Sequence, residues 1–134
     1  MKTAILSVDD DILVLNALRM QLERHFGDRH LLEFAQNVDE AIEVIGDITG
    51  TGIELIVIIS DWIMPSKNGD VLAQHVKAIN PKIQVVVLSG QLQEEKAQAL
   101  VDNHTIDKVM LKPWSEEDLV NVIEQALLSN HSKH

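Results

Sequence analysis

Five short apolar runs, spaced by longer segments of helical period, set the pattern of this chain. They lie at residues 4–8, 31–35, 55–59, 83–88 and 109–111, each of strand length and mostly Val, Ile and Leu. Leu55-Ile56-Val57-Ile58-Ile59 and Val85-Val86-Val87-Leu88 show no polar alternation, as parallel strands covered on both faces require. Leu31-Leu32-Glu33-Phe34-Ala35 carries a charge inside and is expected at an edge. Between the runs, Leu119, Val122, Ile123, Ala126 and Leu127 fall at i, i+3, i+4, i+7 and i+8, one apolar stripe of a final helix. Ser115 is its expected N-cap, with Glu116, Glu117 and Asp118 in the first turn, where negative charge suits the helix dipole. A first helix is predicted over 11–26, with Leu15, Leu18, Leu22 and Phe26 inward and Gly27 as its stop. Further helices are predicted over 39–47, 71–78 and 94–103. Strand and helix thus alternate five times, which implies right-handed crossovers and an α/β fold, a parallel sheet with helices on both faces.

The chain has 134 residues, about one domain's worth. Its 46% hydrophobic and 24% charged residues are those of an ordinary globular protein. The absence of cysteine excludes disulfides and thiolate metal sites. Eleven Lys and Arg against 21 Asp and Glu give a net charge of -10, which repels phosphate backbones and anionic lipid, so neither nucleic acid nor membrane is an expected partner. The first eight residues lack the length of a signal peptide, and a cytoplasmic location is expected. Residues 1–130 are expected to form the domain. The segment from Ser129 to His134, and 131–134 in particular, reads as a polar, frayed tail or the start of a linker.

In such sheets ligands sit beyond the carboxyl ends of the strands. Four strand ends carry polar chemistry: Asp9-Asp10-Asp11, Ser60-Asp61, Ser89-Gly90 and Lys112-Pro113. All four open on one rim, so Asp9, Asp10, Asp61, Ser89 and Lys112 can converge. Crowded carboxylates either share protons or hold a cation. Hard oxygen donors without His or Cys favour Mg2+. With an ammonium and a hydroxyl beside them, they have the parts for phosphoryl transfer, and a carboxylate there can serve as nucleophile. Taken singly, each piece has a plainer use: Asp11 caps a helix, Asp61 opens a turn before Met64-Pro65, and Lys112 is a solvated lysine.

The ordered set formed by the apolar strand before Asp9-Asp10, Asp61-Trp62-Ile63-Met64-Pro65 with Asn68-Gly69, Leu88-Ser89-Gly90 and Lys112-Pro113 resembles the receiver domain of two-component response regulators along almost the whole chain. The resemblance implies a flavodoxin-like (βα)5 three-layer sandwich with strand order 2-1-3-4-5. It implies Asp61 as phosphoacceptor, with Asp10, Asp61 and the backbone carbonyl of Ile63 on Mg2+ and Asp9 acting through metal-bound water. Ser89 would hydrogen-bond the phosphoryl oxygens and Lys112 would pair with them, across a cis Lys112-Pro113 bond. The implied donor is a phosphohistidine on a sensor histidine kinase or histidine phosphotransfer protein.

One departure stands out. Many receivers carry Tyr or Phe three residues before the lysine, and here that position is Val109. The signal is therefore expected to leave through the loop after Ser89 and the helix from Glu94. Trp62 is expected in the core beside Asp61, and Trp114 at the start of the final helix. His25, His30, His75 and His104 share no ligand spacing, and His131 and His134 lie in the polar tail. Two rivals are weaker. A haloacid-dehalogenase-like phosphohydrolase with Asp9 as nucleophile needs an acidic pair after a further strand beyond its lysine. A flavin module needs a hydroxyl- and Gly-rich loop where three aspartates stand. Output is expected either from a partner protein or from a C-terminal domain beyond this length. The face between the Glu94 helix and the last helix is the family's usual surface for partners or a homodimer.

Overall fold

The computed structural model describes residues 2–62, 69–90 and 95–132. The elements are β1 (Thr3–Val8), α1 (Ile12–Phe26), β2 (Leu31–Ala35), α2 (Val38–Gly50), β3 (Glu54–Asp61), α3 (Gly69–Ile79), β4 (Gln84–Ser89), α4 (Glu95–Asp102), β5 (Lys108–Leu111) and α5 (Glu116–Ser132). All strands are parallel, in the order β2-β1-β3-β4-β5, so the flavodoxin-like α/β expectation holds, with the charged run at an edge.

The continuous apolar runs fill two cores. One packs Leu18, Leu22 and Phe26 of α1 and Leu119 and Ile123 of α5 against Ile5, Val57, Ile59 and Leu88. The other packs α2 and α3, through Ile45, Leu72 and Val76, against Leu6, Val8, Ile58 and Val87. Each such large side chain contributes about 1.5–3 kcal/mol by leaving water.

Local signals account for most helix ends. Asp11 caps α1, its side chain accepting the Leu13 N–H at 2.9 Å. Ser115 Oγ accepts the Asp118 N–H at 3.1 Å at the start of α5. Asn37 caps α2 through the Glu40 N–H, so that helix is longer than the expected 39–47. Gly27 does end α1, but with φ of -60° rather than a left-handed turn. Glycine is needed there because a Cβ would stand 2.7 Å from the Glu23 carbonyl oxygen. α5 runs past Ser129 as far as Ser132. Glu94, the expected start of the fourth helix, lies outside the described residues, and α4 is seen from Glu95.

The β1–β3 ladder shifts register between Ala4, opposite Leu55, and Ile5, opposite Val57. This bulge leaves Ile56 without a partner on β1 and changes which face the rest of β3 presents. Beyond it Ile5, Ser7 and, by continuation, Asp9 sit beside Val57, Ile59 and Asp61. Without the extra residue Asp9 would face Ser60.

Candidate functional site

The carboxyl ends of β1, β3 and β5 bring the expected charges together. Asp9 is fully buried, Asp61 is 9% exposed and Asp10 is exposed at the rim. One carboxylate oxygen from each of the three lies within 4.8 Å of the others. Lys112 Nζ donates to Asp9 Oδ2 at 3.0 Å and to Asp61 Oδ1 at 2.9 Å. Asp9 Oδ1 accepts the Asp11 N–H at 2.9 Å. Burial raises the Asp9 carboxyl above its ordinary pKa; the Asp11 N–H and Lys112 pull it down without cancelling that, and the nearby negative Asp61 adds to the rise. For Lys112 burial works to lower the pKa, but the hydrogen bonds it donates to Asp61 and Asp9, with their negative charge, outweigh it and hold the ammonium above the usual lysine value.

Ser89 ends β4, buried at 4% exposure, and its carbonyl accepts the Lys112 N–H at 2.8 Å, so the hydroxyl-bearing residue borders the same rim. The Lys112-Pro113 bond is cis. Ile63 lies outside the described residues, as do Met64, Pro65 and Asn68. Trp62 is 5% exposed within the α2–α3 core, next to Asp61. Trp114 packs against the other core and donates its indole N–H to Gln21 Oε1 at 2.8 Å, tying the β5–α5 connection to α1. Glu116 beside it accepts Arg24 at 2.9 and 3.0 Å and contacts His25 Nε2 at 2.7 Å. His30 instead meets Thr3 Oγ1 at 2.6 Å, so His25 and His30 have separate local partners.

Two residues fix the Asp61 backbone that sequence reasoning gave no role. Ser60 Oγ donates to the Asp61 carbonyl at 3.0 Å. The Gly69 N–H donates to the Trp62 carbonyl at 2.9 Å, where α3 returns to the strand it left. Ser60 stood out only as the neighbour of Asp61 and Gly69 only within the Asn68-Gly69 part of the family pattern; what they touch was not legible.

The cluster offers only hard oxygens, and its three carboxylates outnumber its one ammonium. That donor set suits a divalent cation of the Mg2+ type and nothing softer.

The chain matches the response regulator receiver domain family over residues 5–124, and it belongs to that family. It is 30% identical over 126 residues to the DNA-binding transcriptional regulator NtrC of Azospirillum brasilense, covering 94% of this chain and 24% of that protein. It is 28% identical over 123 residues to the uncharacterized transcriptional regulatory protein YesN of Bacillus subtilis, covering 92% of this chain and 32% of that one. The chain thus spans about a quarter to a third of these relatives. Its fold matches a CheY-like response regulator receiver domain protein from Methanospirillum hungatei at a TM-score of 0.84 and 22% identity, covering 100% and 99% of the two chains. As a receiver domain the chain is a signalling module with a phosphoacceptor role. The phosphohydrolase alternative has no support: among the described residues no strand follows β5. No helix of the described residues is long and apolar enough to cross a membrane.

Proposed function

We propose that Asp61 takes a phosphoryl group from a phosphohistidine, and that the observation carrying this role is the Lys112 ammonium held at 2.9 Å from Asp61 Oδ1 within the three-carboxylate cluster. An Asp61 carboxylate oxygen attacks phosphorus and the P–N bond breaks; the donor's ring, already protonated on its other nitrogen, takes the bonding pair and leaves as neutral imidazole. Lys112 turns to the phosphoryl oxygens, and Ser89 at the rim donates its hydroxyl to them. Asp9, Asp10 and Asp61, with the carbonyl of Ile63 by family resemblance, would hold Mg2+, which when bound supplies further charge neutralisation.

The donor comes from a sensor histidine kinase or histidine phosphotransfer protein, and its face on this chain is the apolar groove beside Lys112. That groove holds about 450 Å³ between α1 and the β5–α5 connection, lined by Leu13, Val14, Ala17, Gln21, Pro113 and Trp114. Leu13 is 75% exposed there, an apolar contact suited to an amphipathic donor helix. The phosphorylated form signals to a partner, a second copy or an output domain. Val109, half-buried against the α2–α3 core, gives no aromatic ring to turn, so Ser89 and α4 carry the change. Structures with and without a phosphoryl mimic in which neither moves would refute that route.

Trp62 emission is the assay. It responds to Mg2+ and to a small acyl phosphate, the added mass of one phosphoryl group maps to Asp61, and Asp61→Asn abolishes the second response. A label on Asp9, or an undiminished response in Asp61→Asn, overturns the assignment.

A further inference from the structure

Ser7 lies on β1 two residues before Asp9 and, like it, is fully buried. Strand alternation puts Ile5, Ser7 and Asp9 on the face towards α1 and α5. Ser7 pairs with Ile59 across the β1–β3 ladder, so these two form the rung directly beneath Asp9 and Asp61. Among the described residues, Ser7 Oγ and Asp70 Oδ1 are the two buried side-chain atoms with no hydrogen-bond partner. A buried hydroxyl without a partner destabilises the fold, and alanine would occupy the same position without that loss.

The same rung has a use for an unspent donor. Lys112 Nζ serves Asp9 Oδ2 and Asp61 Oδ1 at once. On the reading proposed above, Lys112 turns to the phosphoryl oxygens once Asp61 carries them. Asp9, wholly out of solvent, then loses a donor that its charge needs. Two residues of strand rise about 6.6 Å, too far for a direct hydrogen bond between Ser7 and Asp9 but within reach of one bridging water.

We propose that Ser7 is a positioning residue for the acidic cluster. Once the cation is bound, its hydroxyl donates to a water and the water donates to Asp9, holding that carboxylate in place as Lys112 departs; in chelator Asp9 keeps Lys112 and the Ser7 hydroxyl stays without a partner. The inference rests on Asp9, Asp10 and Asp61 being the Mg2+ site.

The test compares Ser7→Ala, Ser7→Val and Ser7→Thr in the full chain. The readouts are the Mg2+ dissociation constant from calorimetry and the melting temperature in chelator. Ser7→Ala and Ser7→Val are expected to weaken Mg2+ binding about threefold to tenfold, the loss of one modest hydrogen bond. Their melting temperatures in chelator should stay level or rise. Ser7→Thr, which keeps the hydroxyl, should bind Mg2+ within twofold of the parent. The proposal is overturned if Ser7→Ala binds Mg2+ as the parent does, if Ser7→Thr is as weak as Ser7→Val, or if Ser7→Ala melts well below the parent in chelator. A parent chain that binds no Mg2+ at all would sink the cation site itself and this inference with it.

Discussion

Replacing Gly69 by alanine probes how tightly the Asp61 backbone is fixed. A Cβ on Gly69 would stand 2.7 Å from the Asp61 carbonyl oxygen, 3.4 Å from Trp62 Cα and 3.5 Å from Ser60 Oγ. Ordinary contact begins near 3.4 Å, so about 0.7 Å must be found between α3 and the end of β3. The atoms in the way are backbone, and hydrogen bonds of 2.9 Å from Gly69 to Trp62 and from Trp62 to Leu88 hold them. Overpacking of this kind costs about 1–3 kcal/mol, from which the lower chain entropy of alanine returns about 0.4–1 kcal/mol. With backbone atoms on both sides unable to give, the net loss is centred at about 1–2 kcal/mol, which for a domain of this size lowers the melting temperature by about 3–8 °C. Moving the Asp61 carbonyl also moves its carboxylate, and a displacement approaching 1 Å at a reacting group slows transfer by about tenfold or more. Circular dichroism melting reads the first effect and the rate of phosphoryl incorporation at saturating Mg2+ reads the second. A melting temperature within about 1 °C of the parent would refute the clash. A lower one with an unchanged rate would show that α3 yields and Asp61 does not.

Asp61→Asn should leave a folded chain that no longer takes up phosphate from a small acyl phosphate, as mass spectrometry reads directly. Asp9 is held with its pKa above the ordinary 3.8, so the folded chain binds its proton more tightly than the unfolded one, and stability falls as pH rises from about 3.8 through the higher folded value. Above that folded value the penalty is fully present; Asp9→Asn should therefore melt higher there than the parent in chelator while binding Mg2+ more weakly, and a lower melting temperature contradicts the argument. At the opposite end of the sheet, Asp107 Oδ2 accepts Lys77 Nζ at 2.7 Å and the Val85 N–H at 2.8 Å, with the two side chains only 13% and 15% exposed. Asp107→Ala leaves that ammonium without its counter-charge and should cost about 3–5 kcal/mol, with little change in Mg2+ affinity. Equal losses in both would show that the two ends are coupled.

The sequence by itself determined the alternation of strands and helices, the edge position of the charged run, the caps at Asp11 and Ser115, and the acidic and lysine residues at the strand ends. These are signals between near neighbours: period, capping and strand composition act over a few residues and survive without knowledge of the partner. Asn37, three before Glu40, is a local cap of the same kind that sequence reading passed over. The last turn of α5 is not legible in the sequence, because polar residues such as Asn130 and His131 carry no apolar period, yet the helix runs on through them. What only the tertiary structure decided is the pairing of Asp9 with Asp61. One unpartnered residue at Ile56 shifts the register of β3 against β1, and since strand faces alternate with period two, that shift decides whether Asp61 or Ser60 meets Asp9. The same lateral packing sets Gly69 against the Asp61 carbonyl and leaves the Ser7 hydroxyl without a partner beneath the carboxylates. Such contacts join segments far apart along the chain, and no local pattern encodes which atoms they bring together.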